Sequence, residues 1–236
     1  MAVALVPAII GERFEEIQAK FEQVRGLVEW VQIDIVDGLF ASPPSWPYKH
    51  KEEIRELRTL TKDPRAPKIE LHLMLENPES EIDRWLEVGA SRILFHAEAT
   101  PRVNELIDHC ETPRLAINRQ SKERLVKPVA RVGIVLNLGT PPERLEHLMD
   151  PPTFIQCMSI ARIGQYGATF SDRVFPKLEY LRRKYPHATL SVDGGVSLEN
   201  TSELIAAGAR QLVVGSALWK SSNVKEEIQR FQKAIQ

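Results

Sequence analysis

The sequence has few of the features that mark nucleic-acid-binding, disulfide-rich or membrane proteins. Its 236 residues carry 31 basic and 32 acidic side chains, so no basic excess favours nucleic acid or an anionic membrane. Its two cysteines, Cys110 and Cys157, fit neither a metal-site nor a redox spacing. No run approaches the length of a membrane-spanning helix, and the apolar start lacks the positive region of a signal peptide. These absences predict a cytoplasmic protein with no nucleic-acid partner and no membrane partner.

Short β-branched apolar runs alternate with longer charged segments of helical period along the chain. Strands are predicted near 2–8, 29–35, 67–74, 91–96, 131–137, 153–160, 188–193 and 211–215. Helices are predicted near 11–25, 48–61, 78–88, 102–110, 141–149, 172–184, 198–207 and 222–234. Eight such units predict an α/β fold, a single (β/α)8 TIM barrel over residues 1–236, for which about 250 residues is typical.

Residues 112–130 do not fit this alternation. Arg114–Asn118 resembles a ninth short strand, and a charged segment from Ser121 to Val126 follows it, closed by Lys127 and Pro128. We interpret 112–130 as an insertion. A surface insertion, an edge hairpin and part of an oligomer contact remain open as alternatives.

Two apolar runs far apart in the chain each end in an aspartate followed by glycine. One is Ile33–Gly38, which contains Asp34, and the other is Ser191–Val196, which contains Asp193. A carboxylate at the end of a buried strand is costly to desolvate unless it has a role. Two of them at one barrel mouth could move a proton on and off opposite faces of one carbon. Asp37, on the other face of its strand, is interpreted as a turn-forming residue.

Strand residues two apart share a face, which groups the polar side chains near these aspartates. Gln32 shares the face of Asp34, and His72 on the following strand is expected beside them. Asp34, His72 and Asp193 are divalent-metal ligands, and three ligands with open positions are typical of catalytic sites. A hydrogen-bonded core histidine is the alternative for His72. The two aspartates predicted in the same layer favour the ligand role.

Two residue pairs that contain glycine follow the last two predicted strands, and both are called glycine pairs below. Gly194 and Gly195 lead into one helix, and Gly215 with Ser216 precedes the last helix. Glycines let backbone N–H groups approach an anion, and the loops after strands seven and eight of TIM barrels commonly hold phosphate. The matching positions predict a phosphate site, with tight turns alone as the alternative.

Seven stretches, in order from near the N-terminus to the last helix, resemble the ribulose-phosphate 3-epimerase family. They are Gln32–Gly38, Leu71–Pro78, Phe95–Ala99, Leu136–Pro141, Cys157–Ile160, Val192–Val196 and Val214–Ala217. Together they cover essentially the whole chain apart from 112–130. The resemblance implies a TIM barrel that interconverts two ketopentose phosphates, with a divalent metal held by two histidines and two aspartates.

The resemblance also implies roles for residues of this chain. Asp34 and Asp193 would be the acid/base pair and metal ligands, with His72 as one histidine ligand. Met74 and Met158 would pack around the reacting carbon, and Gly194, Gly195, Gly215 and Ser216 would bind the phosphate. The implied cofactor is Zn, Mn, Fe or Co. The implied partners are a small-molecule sugar phosphate and, by analogy, other copies of the chain in a homo-oligomer.

Four departures from the family pattern all fall in the proposed site. Gln32 stands where the family has a metal histidine, Ala8 replaces a serine that contacts substrate, and Val36 replaces a methionine. The loop 161–167 is one residue longer than the family's glycine-rich loop. Glutamine is a weaker ligand than histidine, so weak metal binding through Gln32 and no binding both remain open.

Three functions are therefore compared. The first is an epimerase acting at C3 of a ketose phosphate. The second is a paralogue with a different phosphorylated substrate or chemistry, and the third is a non-catalytic sugar-phosphate-binding protein.

Overall fold

A computed structural model describes residues 2–113, 115–117, 124–126 and 129–236, and its centre is a closed barrel of eight parallel strands. Ten strands follow one another along the chain: β1 (Ala4–Ile9), β2 (Trp30–Val36), β3 (Lys68–Met74), β4 (Arg92–His96), β5 (Leu115–Ile117), β6 (Arg124–Val126), β7 (Arg131–Leu136), β8 (Phe154–Met158), β9 (Thr189–Asp193) and β10 (Gln211–Val214). All except β5 and β6 form the barrel, in the order β1-β10-β9-β8-β7-β4-β3-β2, and β2 pairs with β1 to close it. The predicted (β/α)8 barrel is confirmed.

Helices connect the barrel strands and cover the outside of the barrel. The α-helices are α1 (Phe14–Val24), α2 (Ile82–Leu86), α3 (Val103–Glu111), α4 (Val174–Lys184), α5 (Leu198–Ala207), α6 (Ser216–Trp219) and α7 (Val224–Ala234). The apolar face of α7 places Ile228 and Phe231 in the core, and the side chain of Asn223 accepts a hydrogen bond from the Glu226 amide to cap the first turn. No helix among the described residues is long and apolar enough to cross a membrane.

Three predicted helices differ from the observed connections. Residues 54–62 and 142–147 form 3-10 helices, and the predicted helix 78–88 consists of a 3-10 turn at 78–80 followed by the short α2. The buried residues Ile54, Leu57 and Leu60 repeat every three positions, which is the period of a 3-10 helix and not of an α-helix. Lys51 has a left-handed backbone with a φ of +57°, so an α-helix that began at residue 48, as predicted, could not continue past it.

The N-terminal end of the barrel is closed by a buried charged pair. Arg92 donates to Glu70 at 2.7 Å, and its guanidinium lies 4.4 Å from the ring centre of Trp30 and 3.8 Å from that of Phe154. The amide of Gln211 donates to the other oxygen of Glu70 at 2.7 Å. These contacts fill the N-terminal end of the barrel interior and satisfy its polar groups. The opposite, C-terminal end is the mouth of the barrel.

The predicted insertion contains a two-stranded antiparallel sheet separate from the barrel. Strands β5 and β6 pair between α3 and β7, with Leu115 opposite Val126. Arg114, Asn118 and the pair 127–128 lie outside the described residues, as does most of the segment between the two strands.

Candidate functional site

The C-terminal ends of three barrel strands bring Asp34, His72 and Asp193 to one point. Asp34 on β2 is the register partner of His72 on β3, and Asp193 is the last residue of β9. One ligand atom from each of the three residues lies within 4.8 Å of the other two. Parallel strands of a barrel end at the same edge, so side chains from distant strands meet at the mouth.

Gln32 adds a fourth atom to this cluster. Its Nε2 lies 2.7 Å from Asp34 Oδ1, 2.7 Å from Asp193 Oδ2 and 3.2 Å from His72 Nδ1. His72 Nδ1 lies 3.2 Å from Asp34 Oδ1 and 3.4 Å from Asp193 Oδ2. The three separations from His72 Nδ1 are close to the roughly 3.4 Å between ligand atoms of a tetrahedral ion whose bonds are about 2.1 Å long, whereas the two 2.7 Å contacts of Gln32 are hydrogen-bond distances.

The amide of Gln32 determines how the cluster can hold a metal. Its N–H groups donate to both aspartates, and its Oε1 is buried without a hydrogen-bond partner. An amide nitrogen offers no lone pair to a cation, whereas the amide oxygen does. Half a turn of the amide exchanges the two atoms and aims the unpartnered oxygen at the cluster. The four side chains therefore fit a divalent cation, with three oxygen donors and one imidazole.

Burial and mutual contact shift the ionisation of the cluster. Burial lowers the pKa of His72, but the hydrogen bonds to Asp193 and Asp34 outweigh it and raise this pKa to about 9. Burial raises the pKa of Asp34, the hydrogen bond from His72 opposes this shift, and the charge of Asp193 adds to it. Without a metal, the cluster therefore holds a protonated imidazole between two acidic groups.

A buried histidine and a half-buried glutamate extend the cluster on the side of His72 opposite to Asp34 and Asp193, and the sequence analysis did not assign them. Nε2 of His96 lies 2.9 Å from Nε2 of His72, and the two rings stack at 5.1 Å. Nδ1 of His96 faces Oε2 of Glu98 at 3.4 Å. The signal in the sequence was the stretch Phe95–Ala99, which carried part of the family resemblance but had no role attached to it.

The two glycine pairs lie beside this cluster and line the same cavity. Gly194 and Gly195 have φ values of +115° and +64°, in the left-handed region that favours glycine. A Cβ at Gly195 would lie 2.8 Å from the backbone nitrogen of Phe170. Tight packing alone thus requires glycine at 195, in addition to any contact with an anion.

The cavity at the mouth is small and largely enclosed. Its volume is about 40 Å³, and its lining includes Asp34, His72, Asp193, Met74, Met158, Gly194, Gly195, Gly215 and Ser216. The structure therefore brings together every site residue named from the sequence, except that Gln32 lies beneath the cavity and contacts the cluster. A volume of this size holds one or two water molecules, far below the 300 Å³ or so of ordinary ligand pockets.

Residues 164–168 form one side of the cavity lining, and Tyr166 contacts the end of β1 and the start of α6. The Tyr166 hydroxyl donates to Ala8 O at 2.9 Å and accepts from the Ile10 amide at 3.0 Å. A Cβ at Gly215 would lie 2.9 Å from the Tyr166 ring, and Nζ of Lys20 lies 4.8 Å from the ring centre. Tyr166 thus occupies the space between Ala8 and Gly215. Ala8 and the loop 161–167, which carries Tyr166, are two of the four departures from the family pattern.

Asp37 has the turn-forming contacts expected of it. Its Oδ1 accepts hydrogen bonds from the amides of Leu39 and Phe40, and its Oδ2 accepts one from the amide of Glu76. These bonds hold the loops after β2 and β3 together at the rim of the mouth.

Comparison with known sequences places these features in one family. The model of the ribulose-phosphate 3 epimerase family matches residues 4–219. A ribulose-phosphate 3-epimerase of Bacillus subtilis is 28% identical over 236 residues, which cover 98% of each chain. One of Schizosaccharomyces pombe is 30% identical over 164 residues, covering 70% of this chain and 65% of the relative.

Comparison with solved structures shows the fold alone, because the sequence identities are low. A structure of KGPDC from Streptococcus mutans has a TM-score of 0.68 at 14% identity and covers 100% of this chain, with 98% of its own chain matched. Orotidine 5′-phosphate decarboxylase from Pyrococcus horikoshii has a TM-score of 0.66 at 14% identity, with 98% of both chains covered.

Proposed function

Since the chain belongs to the ribulose-phosphate 3-epimerase family, we propose that it epimerises a ketose phosphate at C3 by proton transfer between two aspartates. The observation that carries this proposal is the meeting of Asp34 and Asp193 in one enclosed, polar cluster at the barrel mouth. Two carboxylates from different strands that line one cavity can reach a carbon held between them from two sides. One removes the proton, and the other returns it on the opposite face.

The two aspartates need different protonation states for this reaction. A base must be ionised and an acid must hold a proton at the same time. Burial raises the pKa of Asp34, and the adjacent charge of Asp193 adds to the shift. We assign Asp34 as the member that holds the proton first and Asp193 as the first base. The roles are exchanged for the reverse reaction.

Asp34, His72, Asp193 and, through its amide oxygen, Gln32 would hold the divalent cation. When bound, it would act as a Lewis acid and stabilise the negative charge that develops on the substrate oxygens. Met74 and Met158 would provide an apolar wall for the reacting carbon, since both are buried and line the cavity. The choice among Zn, Mn, Fe and Co is part of the test.

The phosphate is proposed to bind at Gly194, Gly195, Gly215 and Ser216, whose backbones line one side of the cavity. The cavity of about 40 Å³ cannot contain a ketopentose phosphate, so residues 164–168 must move outward for entry. Their return would exclude water from the proton-transfer step. A homo-oligomer remains a separate prediction, which size-exclusion chromatography with light scattering tests.

The proposal is tested by assaying ribulose 5-phosphate epimerisation by metal-stripped protein resupplied with each of the four metals. Asp193→Asn is the inactive control, because an amide cannot take the proton. Turnover that requires both a metal and Asp193 is the expected result. No turnover with any metal, while inorganic phosphate still stabilises the protein against heat, would contradict the proposal and favour a different phosphorylated substrate or a non-catalytic binder.

A further inference from the structure

We propose that His96 and Glu98 are positioning residues that keep the single proton of neutral His72 on Nε2, so that His72 Nδ1 presents a lone pair to an incoming cation. This inference rests on the proposed function, in which His72 is a metal ligand. It concerns residues that the reaction itself does not use. Both lie behind His72, on β4 and the loop that follows it, and neither lines the cavity.

The contact between the two histidines is the first step. Two imidazole nitrogens at 2.9 Å need one donor and one acceptor, so either His72 Nε2 donates to His96 or the reverse. The two directions have opposite results. If His72 donates from Nε2, its Nδ1 is free to bind a cation. If it accepts there, Nδ1 carries the proton and cannot bind one.

Glu98 sets the direction. A carboxylate can only accept, so it selects the form of His96 with the proton on Nδ1. Nδ1 of His96 and Oε2 of Glu98 face each other at 3.4 Å, and both are buried atoms without another hydrogen-bond partner among the described residues, while the Thr140 side chain also interacts with the Glu98 carboxylate. With the proton on Nδ1, neutral His96 has its lone pair on Nε2. His96 must then accept from His72.

The carboxylate of Glu98 is held in place by the next loop. The amide of Asn137 donates to its Oε1 at 2.9 Å, which leaves Oε2 for His96. Phe40, from the loop after β2, packs on the other side of the His96 ring with the ring centres 4.9 Å apart. The Glu98 side chain is 20% exposed, but the two atoms that face each other, His96 Nδ1 and Glu98 Oε2, are buried away from water.

Glu98→Gln reverses this chain of hydrogen bonds with almost no change in shape. The Asn137 amide requires an acceptor, so the glutamine oxygen takes the Oε1 position and its NH2 faces His96. His96 must then accept at Nδ1 and carry its proton on Nε2, and neutral His72 must keep its own proton on Nδ1. Glu98→Asp keeps an acceptor. Glu79→Gln is the matched control, because Glu79 has a buried Oε2 without a partner but contacts neither histidine.

The experiment measures two quantities on wild type and the three variants. The first is the proton position on His96 in metal-free protein at about pH 10.5, above the His72 pKa of about 9, where His72 is neutral, from long-range ¹H–¹⁵N spectra of histidine-labelled samples assigned with His96→Gln. The second is the affinity for Mn²⁺ and Zn²⁺, from isothermal titration calorimetry. We expect the His96 proton to move from Nδ1 to Nε2 only in Glu98→Gln, with metal affinity lowered about 10- to 100-fold.

The same proton position in wild type and Glu98→Gln would overturn the inference, as would equal metal affinities. A wild type that binds neither metal would overturn the ligand-positioning role. The proposed function fails separately if the wild-type protein shows the expected proton position and binds metal, but its metal-loaded form does not epimerise ribulose 5-phosphate.

Discussion

Replacing Gln32 with histidine is expected to tighten the binding of divalent metal about a hundredfold. In the metal-free cluster, the Gln32 amide donates to Asp34 and to Asp193 at 2.7 Å each, and a bound cation takes the place of both bonds. The amide must also turn to present its oxygen. Metal binding therefore competes with the two hydrogen bonds that Gln32 Nε2 already donates to the aspartates.

The magnitude follows from the bonds that are lost. Hydrogen bonds to charged groups contribute about 1.5–3 kcal/mol each, and a histidine nitrogen has one N–H to lose where the amide has two. Imidazole is also the better ligand, by at least about tenfold, or roughly 1.4 kcal/mol. One bond fewer and a stronger ligand together give about 3 kcal/mol, which corresponds to roughly a hundredfold in Kd.

Calorimetric titration of metal-stripped protein with Mn²⁺ and Zn²⁺ measures this change directly. Gln32→Met is the companion variant, since it keeps the side-chain size but offers no amide oxygen, and it should bind metal more weakly than wild type. Gln211→Met is the matched control, because Gln211 also donates from a buried amide to a carboxylate, at the opposite end of the barrel. It should lose stability without any change in metal affinity.

Two results would refute the reasoning about Gln32. One is a Gln32→His variant that binds metal no tighter than wild type. The other is a Gln32→Met variant with wild-type affinity, which would mean that the amide oxygen does not act as a ligand.

The phosphate loop, the segment over the cavity and the proposed ligand histidine each allow one more measurement. Gly195→Ala should lower the free energy of unfolding by about 1–3 kcal/mol, because φ is +64° and the new Cβ would meet the backbone of Phe170; an unchanged urea midpoint would contradict this. Tyr166→Phe removes two hydrogen bonds to the backbone at the end of β1, so phosphate should bind faster in stopped-flow measurements. The control Tyr180→Phe, which removes only an exposed hydrogen bond to Glu146 from a half-buried ring, should match wild type. The pKa of His72 is about 9, and only its unprotonated form binds a cation. Metal affinity should therefore rise about tenfold per pH unit below this pKa and level off above it. A flat pH profile of metal affinity would exclude His72 as a ligand.

The periodicity of the sequence predicted the barrel strands well and the connections less well. Apolar runs such as 67–74 and 188–193 are short, β-branched and bounded by polar residues, so they indicate buried parallel strands without further information. The connection at 54–62 was predicted as an α-helix because apolar residues recur there. The spacing of three in Ile54, Leu57 and Leu60 carried the correct 3-10 period.

The site was predicted as far as residue types and strand faces allow. Alternation along a strand predicted that Gln32 and Asp34 share a face, and the barrel topology predicted that Asp193 meets them. The orientation of the Gln32 amide, the contact of His96 with His72 and the position of Tyr166 could not be predicted. Each depends on distances between residues that are 24 to 161 positions apart in the chain.

The sequence by itself determined which residues could carry the chemistry, because the period of two in strands and the register of a closed barrel leave little freedom for inward-facing side chains. Tertiary structure alone decided what those residues do to one another. It placed a neutral amide against two carboxylates, a half-buried glutamate beside His96 and a tyrosine between Ala8 and Gly215. Hydrogen-bond direction, desolvation and cavity volume depend on separations of a few tenths of an ångström across distant strands, and no local pattern in the chain specifies them.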